Sequence, residues 1–159
     1  DQVLSYPKLE AMRKFSNKLW NIGRFIEMNG VSSIQYPVSP RQGSGRASIE
    51  ELRKIAKHDN DKVWIDKVEK WSREISEHIE KYQFNLAAEK LYENVWHGFA
   101  DLYIEDVKTR LDKESYSILN TLYCILLKLL HPFMPFITEE LYQKFEPKKS
   151  IMIQSWPNE

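Results

Sequence analysis

This chain of 159 residues has little cysteine, no excess of either charge and no long apolar run. Its one cysteine, Cys124, excludes an internal disulfide and suggests a reducing compartment such as the cytoplasm. Lysine plus arginine equals aspartate plus glutamate at 23 each, so net charge predicts no partner and only local clusters can. The longest apolar stretch is broken by Lys128, which leaves it too short to span a bilayer.

Helical periodicity is present instead along most of the chain. Apolar residues recur three and four positions apart, and Pro, Gly or capping residues stand where the pattern stops. The predicted helices cover approximately residues 7–28, 48–57, 61–82, 85–111, 112–131 and 136–145. Without a convincing strand pattern, the sequence predicts an all-α helical bundle centred on helix 112–131, which is apolar almost all round.

Two segments fall outside the predicted helices. Residues 29–47, NGVSSIQYPVSPRQGSGRA, are rich in Ser, Gly and Pro, and we interpret them as a flexible loop of unusual length. The segment SIMIQSW, residues 150–156, is predicted to be a short extended C-terminal tail. The chain length suits a single domain with one core.

The first predicted helix carries more long polar side chains than packing against a core requires. On a helical wheel its core stripe contains Leu9, Met12, Phe15, Leu19, Ile22 and Ile26, with Ser16 and Gly23 as small close-packing positions. Phe25 falls to one side of this stripe, beside Asn21 and Lys18. Asn17 and Arg24 add two more polar side chains that a core does not need.

The fourth predicted helix, 85–111, repeats this arrangement. Ile104 falls past the edge of its apolar face, near His97, Asp101 and Lys108. Asp106 lies within the apolar arc, where a helix bend or a buried ion pair would accommodate it. The sequence therefore predicts two helix edges that combine apolar and charged side chains.

Such edges suit the binding of unpaired nucleotides. Bases stack on aromatic side chains, which contributes roughly 1–3 kcal/mol per base. Lysine and arginine neutralise phosphates, and asparagine and glutamate can bond the free base edges of single-stranded loops. An ordinary solvated surface explains the same pattern, because rim aromatics often complete a core and the net charge is zero.

Three blocks of sequence favour the nucleic-acid interpretation by resemblance. RKFSNKLWNIGRF (13–25), YQFNLAAEKLYENVWHGFADLYIEDVK (82–108) and LLKLLHPFMPFITEELYQKF (126–145) resemble, in this order, the anticodon-binding domain of valyl-tRNA synthetases. The motif HPFMPFITEELY is shared with other class I synthetases, including those for isoleucine and leucine. NKLWN..RF together with D.Y.E..K favours valine.

The resemblance implies a helical bundle of the class I aminoacyl-tRNA synthetase type that grips a tRNA anticodon stem-loop. Phe25 is then expected to stack on one anticodon base and Ile104 to face a second. Asn17, Lys18, Asn21 and Arg24 become candidates for phosphate and base-edge contacts. Glu105 and Lys108 match the same family block and complete the expected site.

The resemblance also implies that this chain is a single domain excised from a longer, cytoplasmic ligase. The parent would join valine to its tRNA with ATP and Mg²⁺, whereas this chain lacks the His-Ile-Gly-His and Lys-Met-Ser-Lys-Ser types of signature. We therefore expect a monomer without aminoacylation activity, cofactor or metal. A sister synthetase domain, or a helical protein-interaction module without RNA binding, remain alternatives.

A metal site is a further alternative. Glu93, His97 and Asp101 are spaced four residues apart and share one helix face, as ligands do in carboxylate bundles. A second helix would have to supply further ligands, for which Glu74 and His78 are the nearest candidates. A solvated polar face explains the same spacing.

Overall fold

The computed structural model describes residues 6–30 and 49–157, and within these ranges the chain is helical, without a β-strand. The elements are α1 (Tyr6–Gly30), α2 (Ile49–Ile55), α3 (Asp59–Glu80), α4 (Phe84–Glu93), a π-helical segment (Asn94–Tyr103), α5 (Ile104–Lys108), α6 (Lys113–Leu130) and α7 (Pro135–Phe145). The predicted all-α bundle is confirmed. The predicted loop lies outside the described residues, except that Asn29 and Gly30 end α1. None of the helices in the described ranges is long and apolar enough to cross a membrane.

Helix α6 is the centre of the bundle, as its apolar sequence predicts. Asp112 caps its start by accepting a hydrogen bond from the Ser115 backbone N–H at 2.7 Å. The hydroxyl of Tyr123 donates to the Leu19 carbonyl at 2.7 Å, which fixes α1 against α6. A Cβ on Gly23 would lie 2.8 Å from a methyl carbon of α7, so this glycine does act as a close-packing position.

The C-terminal tail differs from the extended segment that we expected. Residues Ile151–Ile153 form a 3₁₀ turn, in which the Ser150 hydroxyl accepts a hydrogen bond from the Met152 N–H at 3.3 Å. The Glu139 carboxylate accepts the Ile151 N–H at 3.0 Å, and the Ile151 side chain is buried. These side-chain acceptors satisfy backbone donors that would otherwise need a strand partner.

Residues 84–108 form one continuous helix, here called the long helix, whose middle is π-helical. The Ile104 N–H, for example, donates to the Phe99 carbonyl five residues earlier. This wider ring turns the chain less per residue than an α-helix does, so a wheel drawn for an α-helix loses register across it. The predicted edge position of Ile104 was wrong for this reason, because its side chain is only 4% exposed and belongs to the core.

A buried ion pair joins α3 to the end of the long helix. Asp61, in the first turn of α3, is fully buried, and Arg110 donates to both of its carboxylate oxygens at 2.9 and 3.0 Å. The hydroxyls of Tyr103 and Ser115 donate to the same carboxylate at 3.0 and 2.8 Å. The buried charge is thereby fully hydrogen-bonded, and the bond to Asp61 raises the pKa of Arg110.

The same guanidinium explains Asp106, the acid on the apolar arc of the long helix. The Nε atom of Arg110 donates to Asp106 Oδ2 at 2.9 Å, one helical turn away. The ion pair that the sequence offered as one explanation is observed, but it is not buried, because the Asp106 side chain is 35% exposed. Arg110 therefore holds two carboxylates that belong to different helices.

Removal of this guanidinium should destabilise the whole bundle. We expect Arg110→Ala to lower the free energy of unfolding by about 3 kcal/mol or more, because Asp61 would remain buried without its cation. Urea unfolding followed by circular dichroism measures this difference. Lys57→Ala, which removes an exposed pair with Glu114, is the control and should leave the urea midpoint nearly unchanged. Equal midpoints for both variants would contradict the role assigned to Arg110.

Candidate nucleic-acid interface

Helix α1 and the long helix lie side by side and run in the same direction. The ring centroids of Phe15 and Tyr92 are 5.0 Å apart. Further along both helices, the Lys108 ammonium lies over the ring of Phe25. The residue numbers of the contacting pairs therefore rise together along the two helices. We call the exposed line between them the seam, formed by Lys18 and Phe25 of α1 and by Asp101, Glu105 and Lys108 of the long helix.

Phe25 lies at the C-terminal end of the seam. Its ring is half-buried and packs against the core on one side. The Lys108 ammonium lies 5.6 Å from the ring centroid, within the range of a cation–π contact, and donates to Glu105 at 2.5 Å. The structure thus brings together three residues that the sequence resemblance had placed on two different helices.

Lys18 is engaged by a carboxylate on the opposite side of the seam. Its ammonium donates to Asp101 Oδ1 at 2.8 Å and lies 5.8 Å from the centre of the Trp96 ring. The His97 Nδ1 atom lies 3.3 Å from the other carboxylate oxygen of Asp101. The hydrogen bond from Lys18, with help from His97, lowers the pKa of Asp101, which is therefore ionised at neutral pH.

The outer face of α1 borders the seam and is polar. Asn17, Asn21 and Arg24 are exposed and make no hydrogen bond or ion pair with any residue that the structure describes. Their donors and acceptors are therefore available to a ligand. Arg24 alone offers five N–H donors in a planar arrangement that matches a phosphate.

Ile104 is the predicted site residue that the structure does not bring to this surface. It lies behind the seam in the core, next to Tyr103, which donates to the buried Asp61. The sequence does carry a signal of this rotation. Buried residues of the long helix recur every four positions rather than every 3.6, namely Ala87, Leu91, Val95, Phe99, Tyr103 and Val107. A wheel drawn at this longer period places Ile104 beside them, four residues after the buried Ala100.

Asp101 is a seam residue whose role the sequence analysis missed. The sequence suggested Asp101 only as a possible metal ligand. Its predicted position at the same helix edge as Lys108 could have indicated that the two residues share a surface. Within residues 6–30 and 49–157 no three His, Cys, Asp or Glu side chains lie close enough together to bind a metal ion. His97 pairs with Asp101, and Glu74 pairs with Lys70 and Lys90.

Comparison with known proteins assigns the chain to a family. Residues 61–159, from α3 to the C-terminus and more than half of the chain, match the family described as the anticodon-binding domain of tRNA ligase. The chain belongs to this family. Its helices α3 to α7 and the long helix are thus those of an anticodon-binding domain.

Curated relatives extend the similarity across α1. The valine–tRNA ligase of Thermotoga maritima is 37% identical over 153 residues, which cover 93% of this chain and 16% of that protein. That of Fervidobacterium nodosum is 36% identical over 163 residues and covers 99% of this chain and 17% of its own length. That of Clostridium perfringens is 35% identical, with 94% and 16% covered. This anticodon-binding domain therefore spans about a sixth of the length of these relatives.

The pair between Lys18 and Asp101 should contribute little to the stability of the domain. Both side chains are about one-third exposed, at 32% and 39%, and such pairs have coupling energies below about 1 kcal/mol. A double-mutant cycle with Lys18→Ala, Asp101→Ala and the double variant, measured by urea unfolding, tests this expectation. A coupling of several kcal/mol would show instead that the pair is a structural clamp.

Proposed function

We propose that this chain is the anticodon-binding domain of a longer, cytoplasmic valine–tRNA ligase and that it binds the tRNA anticodon stem-loop as a monomer. The seam and the outer face of α1 form the RNA-binding surface. The parent enzyme would use ATP and Mg²⁺ to join valine to tRNA, and this chain would contribute RNA recognition alone. The observation that carries the proposal is the polar face of α1 beside Phe25, whose side chains have no partner in the described part of a chain whose curated relatives are valine–tRNA ligases.

Phe25 has the properties of a stacking platform for an unpaired base. One side of its ring is supported by the core, which reduces the entropy lost when a base stacks on the exposed part. The Lys108 ammonium beside the ring can bind the phosphate of the stacked nucleotide. Glu105 orients this ammonium and can accept a hydrogen bond from a base edge.

Polar side chains on α1 extend the contacts along the backbone of the loop. Arg24 suits a phosphate, because its donors are unpaired among the described residues. Asn17 and Asn21 each carry a donor and an acceptor and can read a base edge. Ile104 supports Phe25 and Lys108 from inside the core in this proposal, and no base contacts it directly.

A direct titration tests the proposal. The chain is titrated with a fluorescently labelled anticodon stem-loop that carries a valine anticodon, at low and at moderate salt. The control loop is identical except for its anticodon. We expect tighter binding to the valine loop and weaker binding of both loops as salt rises. Salt-insensitive binding to a protein with no binding to either loop would favour an interaction module instead.

Catalysis is expected only in the longer enzyme. The chain alone, supplied with ATP, Mg²⁺, valine and tRNA, should form no valyl-tRNA. Detection of valyl-tRNA above a protein-free control would contradict the assignment of this chain to RNA binding alone.

Loss of the Phe25 ring should weaken loop binding by the equivalent of one base stack. For Phe25→Ala we expect a loss of about 1–3 kcal/mol in binding free energy. The matched control is Phe84→Ala, which removes an exposed phenylalanine from the first turn of α4, at the other end of the long helix. The same affinity for wild type and for a folded Phe25→Ala variant would refute the stacking role.

Arg24 should contribute to the affinity for RNA through its charge, without a preference for particular bases. Arg24→Ala is expected to weaken binding to valine and control loops by the same factor. It should also reduce the slope of log affinity against log salt by roughly 0.7, the value for one phosphate contact on a single strand. A change in the preference between the loops, with the slope unaltered, would assign Arg24 to base recognition instead.

A further inference from the structure

Asp101 is an unexpected residue in a surface that binds a polyanion. Its carboxylate is 39% exposed in the seam, and Lys18 and His97 each contact one of its two oxygens. An ionised carboxylate repels phosphates, so it opposes general RNA binding. The exposed pair with Lys18 is expected to stabilise the fold only slightly, so the carboxylate can contact RNA without a large loss of stability.

The chemistry of a carboxylate restricts what it can contact in RNA. An ionised carboxylate only accepts hydrogen bonds, and Lys18 and His97 leave part of its acceptor capacity free. Adenine N6 and cytosine N4 are exocyclic amino donors, whereas uracil O4 and guanine O6 are acceptors that a carboxylate repels. Guanine N1 and N2 and uracil N3 also carry donors, so a carboxylate selects A and C over U and G only where it faces the position of N6 or N4 on the base edge.

We propose that Asp101 is a specificity-determining residue that accepts a hydrogen bond from the exocyclic amino group of an anticodon base. Lys18 then acts as a positioning residue for Asp101 rather than as a free phosphate ligand. This inference rests on the proposed function. It extends that function by naming the base chemistry that the seam selects.

The valine anticodon fits this chemistry. The first base of a valine codon is G and the second is U. The last two anticodon bases are therefore A and C, and both carry an exocyclic amino group. Isoleucine codons have A in place of this G, so the last base of their anticodon is U instead of C. At that base a carbonyl group replaces the exocyclic amino group. Lys18, the partner of Asp101, precedes Phe25 by seven residues, or about 10 Å along α1, a distance that adjacent nucleotides of an opened loop can span.

Removal of single amino groups from the RNA tests the contact directly. Three stem-loops are compared: the valine loop, the same loop with purine in place of the anticodon A, and the same loop with a C that lacks its 4-amino group. Each is titrated against wild type, Asp101→Ala and Asp101→Asn. The control is Glu89→Gln, which alters an exposed acid elsewhere on the long helix. Circular dichroism confirms that every variant is folded.

Wild type should bind at least one of the amino-deleted loops roughly tenfold more weakly than the intact loop. Asp101→Ala, which offers no acceptor, should bind that loop and the intact loop almost equally. Asp101→Asn should keep part of the preference, because its amide oxygen can still accept the hydrogen bond. Glu89→Gln should retain the wild-type preference. A fourth loop with U in place of C should be rejected by wild type and tolerated better by Asp101→Asn.

Two outcomes would overturn the inference while leaving the proposed function intact. In the first, Asp101→Ala keeps the full wild-type preference for the amino group. In the second, it binds every loop more tightly by one common factor with its preference unchanged, which would make Asp101 a source of general repulsion. Failure of the wild type to bind any loop would instead refute the proposed function, and this inference with it.

Discussion

The ion pair between Asp61 and Arg110 is the interaction on which the position of the candidate site depends. It joins the start of α3 to the residues that follow α5, and Ser115 links the same carboxylate to the start of α6. Lys108 and Glu105 lie within two helical turns of Arg110, on the opposite side of the seam from Phe25. A fully satisfied buried charge allows few alternative arrangements, so it fixes this end of the long helix against the bundle.

The π-helical segment determines which side chains the long helix presents to α1. It turns Ile104 into the core, while Asp101 lies opposite Lys18 and Lys108 lies over Phe25. A π-helical stretch is less favourable than an α-helix and persists where tertiary contacts compensate for it. Here the compensation includes the stacked rings of Phe15 and Trp96 at the start of the segment and the buried Tyr103 hydroxyl at its end. Fold stability and surface composition are therefore set by the same ten residues, Asn94–Tyr103.

Local rules predicted the helices well, because apolar spacing, Asp112 as a cap and proline positions act over a few residues. The role of Gly23 followed from the same reasoning. The rest depended on contacts between distant residues. The pairing of Arg110 with Asp61 spans 49 positions, and that of Lys18 with Asp101 spans 83. The α-helical wheel also failed downstream of Phe99, since it assumes 3.6 residues per turn and the buried residues from Ala87 to Val107 recur every four.

The charges of the seam explain how a chain without net charge can be suited to RNA. Lys18 and Lys108 are each neutralised by a carboxylate, so they attract phosphates only weakly at long range. Arg24, which has no partner among the described residues, would provide general attraction in the proposed surface. A surface arranged in this way gains little affinity from any polyanion, because each phosphate has to compete with an existing ion pair. It gains more from a loop whose bases offer donors to the carboxylates, and this difference between the two kinds of ligand is the physical basis of specificity.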